Sequence, residues 1–232
     1  ALPFSLTVRL KQTPAIIDAT AFTNRRKRNQ IMKLQSTFMA WITRMPLIKR
    51  WALMHCFQEE NVAEHSHQVA VIAHLLTVIG NTRYGNTLNP DRAAVIALYH
   101  EVSETKLQDI NSKTKYHNPR FTEAFKQLET LAEQECIETL PEDLRASFSG
   151  LIIQNDVDPQ YKAIVKAADI LSAYIKALNE LRFHNDEFQH VKEGLEERIG
   201  QLRHEMPEVN DFMAVFCASC TTTLDKISEH YR

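Results

Sequence analysis

The chain has 232 residues, 44% of them hydrophobic and 24% charged, enough apolar mass for a real core, so disorder is excluded as its main theme. Its five glycines (Gly80, Gly85, Gly150, Gly194 and Gly200) never gather into a phosphate-cradling loop, so P-loop and G-x-G-x-x-G nucleotide sites are excluded. The net charge of −2 is uneven: residues 1–31 carry six basic side chains against Asp18, and the acidic remainder is a poor surface for a nucleic-acid polymer.

Residues 1–31 read as an N-terminal extension. Their basic run Arg25-Arg26-Lys27-Arg28 fits a solvated arm, and they lack the apolar stretch of an export signal. From Met32 onward the pattern predicts one helical domain reaching residue 232. Phe38, Trp41, Ile42 and Met45 recur at helical spacing until Pro46 stops them. A long helix is expected over 62–79, with Asn61 as N-cap, Glu64 completing a capping box, and Gly80 ending it. Asn89-Pro90-Asp91 starts a helix running to about Ser103. The polar stretch 105–118 is expected to be irregular or short-helical and to face the active site. Pro119 and Pro141 each open a helix. Further helices are expected over 160–182, 186–205 and 207–230. No strand or internal repeat is expected, and no apolar run is long enough for a membrane helix.

Cys217-x-x-Cys220 could be a redox pair or half a zinc site, but no second pair exists and its apolar neighbours favour ordinary helix packing. Unpaired thiols and the lack of an export signal point to the cytoplasm. Chemistry is more evident where ionisable residues interrupt apolar helices: Glu64-His65-Ser66, His100-Glu101 with Glu104, and Asp169 amid Ala167, Ala168, Ile170 and Leu171. Taken singly, each has a structural explanation. Together they offer two imidazoles and two carboxylates from three helices, a donor set suited to one divalent ion such as Mn2+, Co2+, Fe2+, Ni2+ or Zn2+. His100 and Glu104, four residues apart, are expected to share a helix face.

Four segments carry a family resemblance: Arg50-Trp51-x-Leu53-Met54; Glu60-Asn61-Val62-x-Glu64-His65-Ser66-x-Gln68-Val69-Ala70; Leu98-Tyr99-His100-Glu101-x-Ser103-Glu104; and Lys166-x-Ala168-Asp169. In order and approximate spacing they resemble the HD-domain metal-dependent phosphohydrolases, and within them the YfbR-type 5'-deoxynucleotidases. The resemblance runs from about Met32 to the last helix. It implies an all-α HD-domain bundle, often a homodimer, that removes phosphate from deoxyribonucleoside 5'-monophosphates. By the same resemblance His65, His100, Glu101 and Asp169 would hold the metal. Glu104 would handle the proton of the water or leaving group, and Asp109 would be a second acidic active-site residue, with a part in substrate binding. Arg50 would bind phosphate, and Trp51 would lie against the sugar where a 2'-hydroxyl would clash.

Two features depart from the family pattern. Glu101 stands where the family has Asp, and Gln108-Asp109-Ile110-Asn111-Ser112-Lys113 stands where it shows a Gly-Asp-Leu-Pro-Thr-Pro-like loop. Lys113 and Lys115 add positive charge to that loop. Two other readings therefore fit the same residues: a deoxynucleoside triphosphate triphosphohydrolase, and a catalytically weakened HD protein that binds nucleotides.

Overall fold

The computed structural model describes residues 35–229; the reading of residues 1–31 as an extension lies outside that span. The chain forms α1 (Phe38–Ile42), α2 (Val62–Tyr84), α3 (Pro90–Tyr99), α4 (Glu104–Leu107), α5 (Ser112–Lys115) and α6 (Pro119–Glu138). There follow α7 (Glu142–Ile152), α8 (Pro159–Arg182), α9 (Gln189–Glu205), α10 (Pro207–Val215) and α11 (Leu224–Glu229), with short 3-10 segments at Met45–Leu47, Asp186–Phe188 and Cys217–Thr221. The one β pairing among the described residues is an isolated antiparallel bridge between Lys49 and Asn61, so the all-α expectation holds. No described helix is long and apolar enough to cross a membrane.

Helix α2 is central and packs on α3, α8 and α10. Its contacts with α3 and α8 use small side chains: Ala73, Ala93, Ala97, Ala167 and Ala168 are wholly buried. Small residues let helix backbones approach closely, which brings polar groups on three helices within reach of one another. Around them Leu76, Ile96, Leu171, Val209 and Phe212 fill one apolar core, each contributing about 1.5–3 kcal/mol through burial. A second, smaller core gathers Phe38, Val102, Cys136, Ile137, Leu140 and Ile152.

Helix ends depart from expectation at four places. Helix α1 stops at Ile42, and Met45 and Pro46, expected at its end, lie in the 3-10 turn Met45–Leu47. Helix α2 runs through Gly80 to Tyr84 and is capped by Gly85, whose φ of +76° is the left-handed conformation glycine adopts freely. Gly80 is instead a contact residue, because a Cβ there would lie 2.7 Å from the Asn86 side-chain nitrogen. Helix α3 ends at Tyr99 with His100 as its C-cap, so His100 and Glu104 do not share a helix face as expected. The last expected helix is broken into α10, a 3-10 turn holding Cys217 and Cys220, and α11. The run Thr221-Thr222-Thr223 at that break is β-branched and favours extended backbone, which Thr222 adopts. All four cysteines are free; Cys217 is buried in the core but Cys220 is exposed, so the expected packing role holds for Cys217 alone.

The segment between α1 and α2 has little helix of its own and is tied down by polar contacts. Glu180 of α8, almost wholly buried, accepts from the backbone N–H groups of Phe57 (2.6 Å) and Gln58 (3.1 Å) and from the Asn185 side chain (2.8 Å), and pairs with Lys176. Burial opposes its ionisation, but these donors outweigh it and depress the Glu180 carboxyl to about 2 from an ordinary 4.5. Removing one partner of such a network costs about 3–5 kcal/mol, so Glu180→Ala should lower Tm by roughly 10 °C in thermal denaturation. Because the native carboxyl is depressed, its contribution is complete above the ordinary glutamate value and lost as pH falls toward 2. The stability gap between wild type and Glu180→Ala should therefore close on acidification, and a gap that stays constant from pH 6 to pH 3 would contradict the ionic clamp.

Candidate metal centre and substrate pocket

Each side chain reaches the site by a local device. Asn61 caps α2, its Oδ1 accepting from the Glu64 N–H at 3.0 Å while Glu64 Oε2 accepts from the Asn61 N–H at 3.3 Å, the expected capping box. This start places His65 in the first turn of α2, fully buried. His100 and Glu101 sit where α3 ends, and Val102, 1% exposed in the second core, anchors the turn. Asp169 lies midway along α8. Two backbone hydrogen bonds flank the Lys49–Asn61 bridge, Arg50 N–H to Glu60 O and Val62 N–H to Ile48 O, both 3.0 Å. They pin Arg50 and Trp51 beside the start of α2.

The structure brings His65, His100, Glu101 and Asp169 together, with one potential ligand atom of each lying within 4.8 Å of all the others. Asp169 Oδ1 is 3.2 Å from His65 Nε2, and Glu101 Oε1 is 3.4 Å from His100 Nε2 and 3.9 Å from His65 Nε2. The added methylene of Glu101 therefore does not carry its carboxylate away from the cluster. Both imidazole Nε2 atoms are buried and have no hydrogen-bond partner. Two orphaned nitrogens facing two carboxylate oxygens fit a cation between them. His100 Nδ1 lies 2.6 Å from Ala97 O, which directs Nε2 inward. Lys166 Nζ donates to Asp169 Oδ2 at 2.7 Å, leaving Oδ1 toward the cluster.

A cavity of about 630 Å³ opens beside the cluster, lined by Arg50, Trp51, Glu101, Glu104, Asp109 and Asp169 among others. Six of the eight residues expected from sequence thus line it, and His65 and His100 lie behind its wall. Burial raises the Glu101 and Asp169 carboxyls, but their neighbours win: the His100 imidazole and the Arg50 guanidinium beside Glu101, the Lys166 ammonium and the His65 imidazole beside Asp169, so both are depressed. Glu104 behaves oppositely. Burial, then the negative charges of Glu101 and Asp109, push it up to about 10, and its Oε2 has no partner. Burial is also the largest cause of the raised Asp109 carboxyl. Burial opposes the charge on Arg50, yet Glu101, Glu60, Asp169 and Asp109 together raise its pKa and hold it charged.

Glu60, to which the sequence reading assigns no role, links Arg50 and Trp51. Its Oε2 accepts from Trp51 Nε1–H at 2.6 Å and from Arg50 Nε–H at 3.3 Å, while the Arg50 guanidinium stays 3.8 Å from Glu101 Oε1. The Trp51 ring meets the buried Phe188 edge-on, with centroids 5.2 Å apart. The signal for Glu60 was its place at the head of the second motif, but nothing local says that its partners lie nine and ten residues back. Lys115, expected to add positive charge to the loop, is paired with Glu129 at 2.5 Å.

The chain matches the model of the YfbR-like family, described as 5'-deoxynucleotidase YfbR-like, over residues 37–220. A 5'-deoxynucleotidase of Vibrio cholerae is 42% identical over 194 residues, covering 84% of this chain and 99% of the relative. A 5'-deoxynucleotidase of Erwinia tasmaniensis is 42% identical over 196 residues, covering 84% and 98%. Among solved structures, an HD-domain phosphohydrolase of Listeria innocua aligns with a TM-score of 0.70 at 21% identity, covering 81% of this chain and 90% of that one. A cyanophage S-2L HD phosphohydrolase bound to dA and one catalytic Zn2+ ion aligns with a TM-score of 0.57 at 18% identity, covering 79% and 96%.

Gln108, at the base of the cavity loop, has φ +64° and ψ 167°, a region that is essentially reserved for glycine. It stands where the resembled loop carries glycine. Gln108→Gly should relieve about 1–3 kcal/mol of strain against roughly 0.5–1 kcal/mol of added chain entropy. The net gain of about 1 kcal/mol should raise Tm by roughly 2–4 °C in differential scanning calorimetry. A fall in Tm would show that Gln108 is not strained.

Proposed function

Because the chain belongs to the YfbR-like 5'-deoxynucleotidase family and is therefore a hydrolase, we propose that it hydrolyses deoxyribonucleoside 5'-monophosphates to deoxynucleoside and phosphate in this cavity. The observation that carries the reading is the convergence of four ligand atoms, two of them orphaned imidazole nitrogens, beside a buried and charged arginine.

His65, His100, Glu101 and Asp169 would hold one divalent ion. When bound, such an ion supplies a water of lowered pKa and polarises a phosphate oxygen. Arg50 offers the phosphate a planar fork of donors. Its Nε is held by Glu60, which aims the terminal nitrogens toward the cluster. Trp51, fixed by Glu60 and Phe188, is placed to pack on the sugar, where its bulk disfavours a 2'-hydroxyl. Glu104 carries a proton at neutral pH in the metal-free protein, because burial and two neighbouring carboxylates raise it. It is thus suited to deliver that proton to the departing 5'-oxygen. Asp109 lines the same cavity near enough to Arg50 to feel its charge and would help to orient the phosphate-binding arginine. The dA and catalytic Zn2+ in the cyanophage neighbour support a deoxynucleoside ligand and a metal of this class. Manganese, cobalt, nickel, iron and zinc all suit the mixed nitrogen and oxygen donor set. A homodimer acting in the cytoplasm belongs to the same proposal, and light scattering tests the dimer.

Purified protein supplied in turn with Mn2+, Co2+, Ni2+, Fe2+ or Zn2+ should release phosphate from deoxyribonucleoside monophosphates, about 10–100-fold better than from ribonucleoside monophosphates. EDTA should abolish the release. No phosphate with any metal would end the reading, and triphosphate released from deoxynucleoside triphosphates would replace it with the alternative substrate. Arg50→Ala should lower kcat/KM by about 100-fold or more. Glu104→Gln should lower kcat by about 100-fold or more with little change in KM. Glu101→Asp should remain active, whereas activity that appears only in that variant would mark the natural protein as a nucleotide binder.

A further inference from the structure

The two imidazoles of the cluster are oriented differently. His100 presents Nδ1 to the Ala97 carbonyl oxygen, which can only accept, so its proton belongs on Nδ1 and Nε2 is bare. His65 has no such carbonyl. Its Nδ1 lies 3.3 Å from the hydroxyl of Ser172, a group that can donate or accept and by itself fixes nothing. The next link decides. Ser172 Oγ donates to Gln68 Oε1 at 2.6 Å, and a hydroxyl has one proton to give. With that proton committed to Gln68, Ser172 can only accept from His65.

We propose that Ser172 and Gln68 form a positioning relay that holds His65 in the Nδ1–H form and leaves its Nε2 lone pair free for the metal ion. The inference rests on the metal reading of the cluster. The geometry supports it at each link. His65 and Ser172 are both wholly buried, so water does not compete for the hydroxyl. Gln68 lines a separate groove of about 690 Å³ on the other side of the relay, so its outer end is solvated while its oxygen faces inward. Helical spacing accounts for the arrangement on α2, where His65 and Gln68 are three residues apart and share a face. On α8, Ser172 stands three residues after Asp169, so one face of each helix carries both a ligand and a relay member. Neither Ser172 nor Gln68 touches the cavity, and both act through His65.

The test uses the full-length protein and has two readouts besides turnover. The 15N chemical shifts of the His65 ring in metal-free wild type report directly which nitrogen is protonated, and Nδ1–H is expected. Competition between the protein and a chromogenic chelator for Zn2+ or Co2+ reports affinity. Ser172→Ala and Gln68→Leu should each weaken it by about 10–100-fold, the usual cost of losing a partner of a ligating histidine. Gln68→Leu frees the serine proton to point at His65, so the double variant should be no weaker than the weaker single variant. Gln68→Glu keeps an acceptor oxygen and should bind metal within a few-fold of wild type. A role in packing alone predicts the reverse: leucine, close in size, would be tolerated and the charged glutamate would not. An Nε2–H signal in wild type, or unchanged affinity in both Ser172→Ala and Gln68→Leu, would overturn the relay. A wild type that binds no ion would instead sink the metal reading, and the ring shifts would still decide the tautomer.

Discussion

Bringing two carboxylates and two imidazoles within 4.8 Å of one another inside a helical core is the constraint on which the rest of the structure depends. Left uncompensated, such a group repels itself and loses hydration worth several kcal/mol per charge. The fold answers in two ways. Wholly buried alanines on α2, α3 and α8 close the helices tightly enough for their polar groups to meet. Cations then stand at the edge of the cluster, Lys166 on Asp169 and Arg50 near Glu101. Neither cation caps the two imidazole Nε2 atoms, and it is this residual lack of partners that makes the cluster suited to an ion rather than to a closed ion-pair network.

The same electrostatics divide labour among the acids. Glu101 and Asp169 lie close to positive charge and are depressed, while Glu104, buried beside two other carboxylates, is raised to about 10. Two carboxylates held as anions and one held as an acid fit the proposed division of roles, ligands on one side and a proton donor on the other. Arg50 and Trp51 depend on a second polar system. Glu180 holds the 57–58 backbone, and Glu60 gathers Arg50 and Trp51 onto one carboxylate oxygen. This segment has little regular structure, and Trp51 and Leu53 adopt φ of +60° and +70°. Polar contacts and burial, not helix propensity, keep it in place.

Much of this was legible in the sequence because it depends on short-range chemistry. The all-α class follows from apolar spacing, and the start of α2 from the Asn61–Glu64 capping box. Ionisable residues interrupting apolar helices sufficed to nominate a metal centre, and the resemblance singled out His65, His100, Glu101 and Asp169 as its ligands with Arg50, Trp51, Glu104 and Asp109 around it. What local pattern could not supply was where helices yield to tertiary demands. Gly80 looked like a terminator but makes room for Asn86. His100 looked helical but caps α3, because Val102 turns inward to the second core. The linkage of Glu60 to Trp51 and Arg50, and the hydrogen-bonded chain from His65 through Ser172 to Gln68, join residues on different segments or up to 107 positions apart. Side-chain chemistry and period therefore came from the sequence itself. Which nitrogen faces inward, which carboxyl keeps its proton and whether Glu101 reaches the cluster were decided only when packing set the distances, because those outcomes depend on burial and on charges that approach through space rather than along the chain.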